Sequence, residues 1–149
     1  MKVLLDYTKN LHFKASARNF RDLNVDEPVS FHGTDLGPSA VEYLLIGIGG
    51  CLGTTFLFCL QKKKIELESL NVIVDGELSH TGPKMHLRLV NVNVDLNFIP
   101  KNDSSDKEID KCMKEFLEHC IITNSITMGL PISVNCTKET KKKVDKKFV

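Results

Sequence analysis

The sequence predicts an α+β domain, and three observations carry that prediction. Residues 37–65 hold one acid near their start, Glu42, and no further charge until Lys62, Lys63 and Lys64. Acid first and base last complements a helix dipole, so this stretch reads as one long helix, apolar on every side. From Val72 to Phe98 apolar residues alternate with polar ones, the period of paired strands. Ile109, Met113, Phe116, Leu117 and Cys120 then recur at helical spacing, with lysines and glutamates on the opposite face. Strands, helix, hairpin, helix and a closing strand is an α+β order. The chain has 149 residues, the usual size of one domain. The domain is expected over residues 1–137, followed by a basic, flexible tail over 138–149.

Taken in order, Val3, Leu5 and Tyr7 alternate, as do Leu11, Phe13 and Ala15, and Lys9-Asn10 suits a turn between two strands. Residues 18–22 are polar and read as a turn or a strand edge. Residues 25–31 suit a further strand, confined to a sheet edge by Pro28. Residues 32–38 form a loop, and Ser39 is the expected N-cap of the long helix. Residues 65–70 read as a link, and 72–79 as a strand ending in a turn at 80–83. In the next strand Met85, Leu87 and Leu89 share one phase, whereas Val90, Val92, Val94, Leu96 and Phe98 share the other. That slip predicts a β-bulge between Leu89 and Val90. Residues 100–103 are expected to be a loop. Ser105-Asp106-Lys107-Glu108 matches a capping box for the second helix. Residues 123–128 suggest one more helical turn, ended by Gly129, and 131–136 a closing strand.

Composition narrows the function classes. Lys plus Arg number 20 and Asp plus Glu 19, for a net charge of +1. That balance argues against a nucleic-acid binder. The apolar run at the N-terminus is broken at Asp6, unlike a signal peptide. The five cysteines, Cys51, Cys59, Cys112, Cys120 and Cys136, form no C-x-x-C and have no histidine at zinc-ligand spacing. Their odd number argues against a fully paired disulfide scaffold, and a reducing cytoplasm is the expected location. His12, His32, His80, His86 and His119 are scattered and read as surface or strand residues.

Residues 43–60 approach the ~20 apolar residues of a membrane span. Gly47, Gly49, Gly50, Gly53, Thr54 and Thr55 dilute them, and no aromatic belt flanks them. A buried helix with close backbone contacts at its glycines is the preferred reading, and no membrane partner is expected. One small sheet cannot cover a helix this apolar on all sides, so a homodimer is predicted with the helix near its interface.

Read by itself, Cys51 is a buried small hydrophobe. Cys120, at the end of the second helix, comes within disulfide reach of it only if the two helices pack together. Cys59 lies about two turns beyond Cys51 on the same helix, too far to bond it. Nothing local marks Cys59 or Cys112 as reactive.

The run from Gly37-Pro38-Ser39-Ala40-Val41-Glu42-Tyr43-Leu44-Leu45 to Gly49-Gly50-Cys51 resembles the G-P-S-P-x-E-L-L…G-S-C block of the OsmC/Ohr family, and Gln61-Lys62-Lys63-Lys64-Ile65 resembles its exit. Residues 118–126, around Cys120, resemble that family's second cysteine motif, C-P-V-x-x-x-L. The resemblance covers roughly residues 37–134 and lies nearer the broad OsmC-like group than Ohr proper.

It implies an intertwined homodimer with antiparallel sheets wrapped around two long central helices. It also implies thiol-dependent reduction of organic hydroperoxides in oxidative or osmotic stress defence, without metal or organic cofactor. By the same resemblance Cys51 is the peroxidatic thiolate, which becomes a sulfenic acid, and Cys120 is the resolving thiol. An external thiol or dithiol restores both. An arginine stabilises the thiolate in that family, itself held by a glutamate. Arg18 and Arg21 are the candidate arginines, and Glu42 the candidate acid. The other reading is an OsmC-fold protein without peroxidase turnover, which binds a small apolar ligand between subunits or acts as a redox sensor.

Overall fold

The computed structural model describes residues 1–101 and 106–138. Alternation at the N-terminus produces β1 (Val3–Lys9), β2 (His12–Ala17) and β3 (Phe20–Val25), paired antiparallel in that order. The connections turn where Asn10 (φ 49°) and Arg18 (φ 53°) enter the left-handed region. Residues 25–31 do not continue as a strand. β3 ends at Val25, and a single 3-10 turn follows over Val29–Phe31. The physical cause is Asp26, only 1% exposed. Its carboxylate accepts the N–H groups of Glu27 (2.9 Å), Thr34 (3.2 Å) and Leu36 (3.1 Å) and the Thr34 hydroxyl (2.6 Å). These bonds curl the chain into a compact loop that delivers it to the long helix.

That helix, α1 (Ala40–Lys62), opens on a capping box. The Glu42 N–H donates to Ser39 Oγ (3.3 Å), and the Ser39 N–H donates to Glu42 Oε2 (2.7 Å). The Tyr43 hydroxyl, donating to the Asn24 carbonyl (2.8 Å), ties the helix to β3. Ile48, Leu52, Phe56 and Leu60 recur every four residues and form its buried stripe.

β4 (Leu67–Thr81) and β5 (His86–Pro100) form the long antiparallel hairpin. The link foreseen at 65–70 shortens to 65–66 and the turn foreseen at 80–83 lies over 82–85, because the ladder runs on to Leu67↔Pro100 and Thr81↔His86. The register shifts where Glu77↔Asn91 is followed by Leu78↔Leu89, leaving Val90 as the extra residue of the expected bulge. Val72, Val74, Val92, Val94, Leu96 and Phe98 face inward as a result, and the β5 members pack on the core. Gly49 and Gly53 let α1 lie close on this hairpin. A Cβ on Gly49 would stand 2.6 Å from Val74 Cγ2.

α2 (Asp106–His119) follows with Ile109, Cys112 and Phe116 buried against α1. Cys120 separates it from α3 (Ile121–Met128), longer than the single turn foreseen and ended at Gly129 (φ 78°). Residues 131–136 alternate as a strand would, yet none is assigned there. Ile132 and Val134 are 81% and 77% exposed, and no strand of the described chain pairs with them. The expected capping serine, Ser105, and tail residues 139–149 lie outside the described residues.

α1 is long and apolar enough to span a bilayer by length and composition. Its buried stripe packs on β4, β5, α2 and α3, the surroundings of a core helix. The opposite side is left uncovered by the described residues, where Leu44, Ile46 and Phe58 are exposed.

Candidate active site

α1 and α2 pack side by side, and Cys51 of α1 meets Cys120, at the junction of α2 and α3, along the seam. Cys51 lies mid-way along α1 and is half-buried, whereas Cys120 is fully buried. Their sulfurs are 3.0 Å apart and unbonded. The sequence left open whether the helices would pack closely enough for this meeting. They do, because Leu52, Phe56, Ile109 and Phe116 knit one core, with Phe56 and Phe116 rings 5.3 Å apart.

Cys120 stands at the N-cap of α3, where free N–H groups and the positive end of the dipole favour negative charge. Burial raises the pKa of its thiol. The Cys51 thiol, the Thr123 hydroxyl (3.1 Å) and the N–H groups of Thr123 and Ile122 outweigh burial and hold it below the ordinary thiol value. The site therefore contains a buried sulfur prepared to carry charge beside a more accessible one. Thr123 was not singled out in the sequence. Its signal was its place three residues after Cys120, where an N-cap side chain meets the third helical residue.

The other candidate residues lie elsewhere in a single chain. Arg18 sits in the β2–β3 turn with its guanidinium over the Phe20 ring (5.2 Å). Arg21 is exposed on β3. Glu42 is engaged in the capping box, and the Ser39 N–H and hydroxyl hold its pKa down. Among the described residues, no hydrogen bond or ion pair links these three to either sulfur.

A second cysteine pair crosses the same seam. Cys59 of α1 and Cys112 of α2 are joined in a disulfide, which the sequence reading did not anticipate. The signal was a mirrored spacing. Cys59 follows Cys51 by the same eight residues by which Cys112 precedes Cys120. In an antiparallel helix pair that brings 51 to 120 and 59 to 112 together. Lys63 and Glu108, four residues further along each helix, complete the series with an ion pair at 2.8 Å. The histidines bear no such relation. His12 is 5% exposed, held in β2 by Thr8 and Asn24. Among the described residues no cluster of His, Cys, Asp and Glu is suited to a metal ion.

A family model described as OsmC-like protein matches residues 33–135. A comparison with curated proteins finds no match. Among solved structures, the chain is similar to an OsmC-like protein from Mycoplasma pneumoniae, with TM-score 0.70, 19% identity, and 85% of this chain and 86% of that chain covered. An OsmC-like protein from Vibrio cholerae gives TM-score 0.69 at 13% identity, covering 83% and 91%. An organic hydroperoxide resistance protein OsmC from Legionella pneumophila gives TM-score 0.59 at 17% identity, covering 84% and 87%. At these identities the likeness establishes the fold.

Proposed function

The chain belongs to the OsmC-like protein family, and on that premise we propose that it is a thiol-dependent peroxidase that reduces organic hydroperoxides to alcohols through Cys51 and Cys120. One observation carries this reading: two free thiols, one on α1 and one at the α2–α3 junction, stand 3.0 Å apart, the buried one with its pKa lowered by its neighbours. The Legionella relative, an organic hydroperoxide resistance protein, supports the substrate class.

In the proposed cycle the Cys51 proton passes across the sulfur–sulfur contact to Cys120. The Cys51 thiolate attacks the terminal oxygen of ROOH, the O–O bond breaks, and the alkoxide takes that proton back from Cys120 and leaves as ROH, which restores the Cys120 thiolate. Cys51 is then a sulfenic acid. The Cys120 thiolate attacks its sulfur, hydroxide leaves as water, and a Cys51–Cys120 disulfide forms. Two equivalents of thiol, or one of dithiol, return both residues to thiols. The lowering of the Cys120 pKa serves the second step, because the thiolate is the attacking form. A cytoplasm rich in thiols would sustain turnover.

The proposed assembly is a homodimer. The uncovered side of α1 and the exposed apolar residues of β1 support it, since Ile46 and Phe58 are each 57% exposed and Tyr7 65%. Arg18 or Arg21 is proposed to stabilise the Cys51 thiolate from across that interface, since neither reaches it within one chain. Glu42 is proposed to act chiefly as a helix cap. A second reading, an OsmC fold that binds a small apolar ligand or senses redox state without turnover, is favoured by the groove of about 780 Å³ between α1 and β4, lined by Leu45, Leu57, Leu70 and Val72.

The test is turnover. Protein, cumene hydroperoxide and dithiothreitol should yield cumyl alcohol catalytically, faster per mole than hydrogen peroxide is consumed, and Cys51→Ser should abolish it. Alcohol formation no faster than with Cys51→Ser would remove the peroxidase reading and leave the ligand-binding one.

A further inference from the structure

We propose that Cys59 and Cys112 form a second thiol–disulfide exchange site, which a small thiol reduces by attacking Cys59 through a cavity on the α1–α2 seam. The two cysteine pairs are separated by about two helical turns, roughly 12 Å at the α-helical rise per residue. Sulfurs so far apart cannot exchange directly, so each pair needs its own access to a reductant. The Cys59–Cys112 pair has its own opening. Cys59 lines a cavity of about 470 Å³ with walls from both helices, among them Phe58, Phe116 and His119. That volume falls within the roughly 300–1,000 Å³ of small-ligand sites. Cys112 is 0% exposed and does not line the cavity. Access therefore decides which sulfur is attacked.

Charge favours the same approach. Lys62 and Lys63 stand on the cavity wall against one acid, Glu115. Lys63 is paired with Glu108 and Glu115 with Lys111, so among the described residues Lys62 is the excess cation that attracts a thiolate, and more so one that carries carboxylates. Lys62 is held over the Phe58 ring, 4.4 Å from its centre, and Lys63 is held by Glu108 at 2.8 Å. Both cations are thus fixed at this end of the seam.

The exchange balances with a low-molecular-weight thiol as the named reductant. Its thiolate attacks Cys59 Sγ, the Cys59–Cys112 bond breaks, and Cys112 leaves as a thiolate and takes a proton. A second thiol attacks the external sulfur of the mixed disulfide, releasing Cys59 as a thiol and the reductant as its disulfide. Two electrons pass from two small thiols to one protein disulfide. This inference stands on the Cys59–Cys112 geometry and does not depend on hydroperoxide reduction.

The experiment uses the full chain and glutathione as the probe. Wild-type protein is titrated with reduced glutathione under native conditions, and Cys59 and Cys112 are followed by differential alkylation and peptide mass spectrometry, with circular dichroism recorded in parallel. The expected result is reduction of both residues while the far-ultraviolet signal is kept. Cys112→Ser with oxidised glutathione should acquire a mixed disulfide on Cys59 at least tenfold faster than Cys59→Ser acquires one on Cys112. If either variant fails to fold, acid quenching of the wild type part-way through reduction reads the same choice: glutathione on Cys59 supports the proposal, and on Cys112 overturns it. Reduction only after denaturation, or equal labelling of the two variants, also overturns it and leaves a structural staple.

Discussion

At the scale of single residues, the site depends on how the cost of charging a buried sulfur is reduced. Cys120 loses hydration on burial and regains stabilisation from Cys51, Thr123 and the first turn of α3. Thr123→Val keeps the shape and removes the hydroxyl. The expected outcome is a rise in the Cys120 pKa, seen as an upward shift in the pH profile of its alkylation, with several-fold slower disulfide formation at neutral pH. An unchanged profile would mean that the hydroxyl does not face the thiolate. Asp26 is the second residue with a defined electrostatic part. The Thr34 hydroxyl, then the N–H groups of Leu36, Glu27 and Thr34, lower its pKa against the opposing effect of burial. A carboxylate with a depressed folded pKa contributes stability above its unfolded pKa, and loses it as the pH falls through the folded value. Asp26→Asn should therefore lower the melting temperature clearly at pH 7, and by progressively less as the pH falls below the ordinary carboxylate range. A difference independent of pH would refute the assignment. Asp26 was not legible in the sequence, because its four donors come from residues up to ten positions away.

At the scale of elements, α1 rests on glycines. Gly49→Ala places a methyl group against Val74, and overpacking of this kind costs about 1–3 kcal/mol. Chemical denaturation of the variant checks that figure, and an unchanged midpoint would mean that β4 yields freely. The Cys59–Cys112 bond joins positions separated by 53 residues, and in the chain-entropy account a loop of that length stabilises by about 4 kcal/mol. Denaturation with and without prior reduction of that bond measures it.

The elements that sequence patterning revealed are those whose signal is local. Residues 37–65 carry their own charge polarity, the slip at Leu89 and Val90 marks its own bulge, and Ile109 to Cys120 repeat at their own helical period. What the pattern missed was set from outside the segment. The ends of β4 follow from the β5 ladder, despite the polar Glu68 and Ser69. Residues 131–136 have the alternation of a strand but pair with no strand among the described residues. Cys51 and Cys120 were legible as motif positions. Their meeting, and the bond between Cys59 and Cys112, required the antiparallel register of two helices.

At the scale of the whole molecule, one chain leaves much apolar surface in water. β1 is exposed along its length, and α1 shows Leu44, Ile46 and Phe58 to solvent. Exposed patches of this kind mark association surfaces. The account expects light scattering after size exclusion to give twice the 16.7 kDa of the chain. It also expects Ile46→Asp with Phe58→Asp to drive the protein toward monomer. If dimerisation supplies the activating arginine, the monomeric variant loses Cys51 reactivity while the Cys59–Cys112 bond remains. A monomeric wild type would remove both the assembly and the proposed route by which Arg18 or Arg21 reaches the site.

The central claim is that Cys51 and Cys120 act in sequence on a hydroperoxide, and the most direct measurement mixes fully reduced protein with one equivalent of cumene hydroperoxide. Thiol loss and intact mass are followed in wild type, Cys51→Ser and Cys120→Ser. Wild type should lose two thiols rapidly and form a Cys51–Cys120 disulfide, Cys120→Ser should trap an oxidised Cys51, and Cys51→Ser should show no fast reaction. Slow oxidation that is indifferent to which cysteine is removed would contradict it.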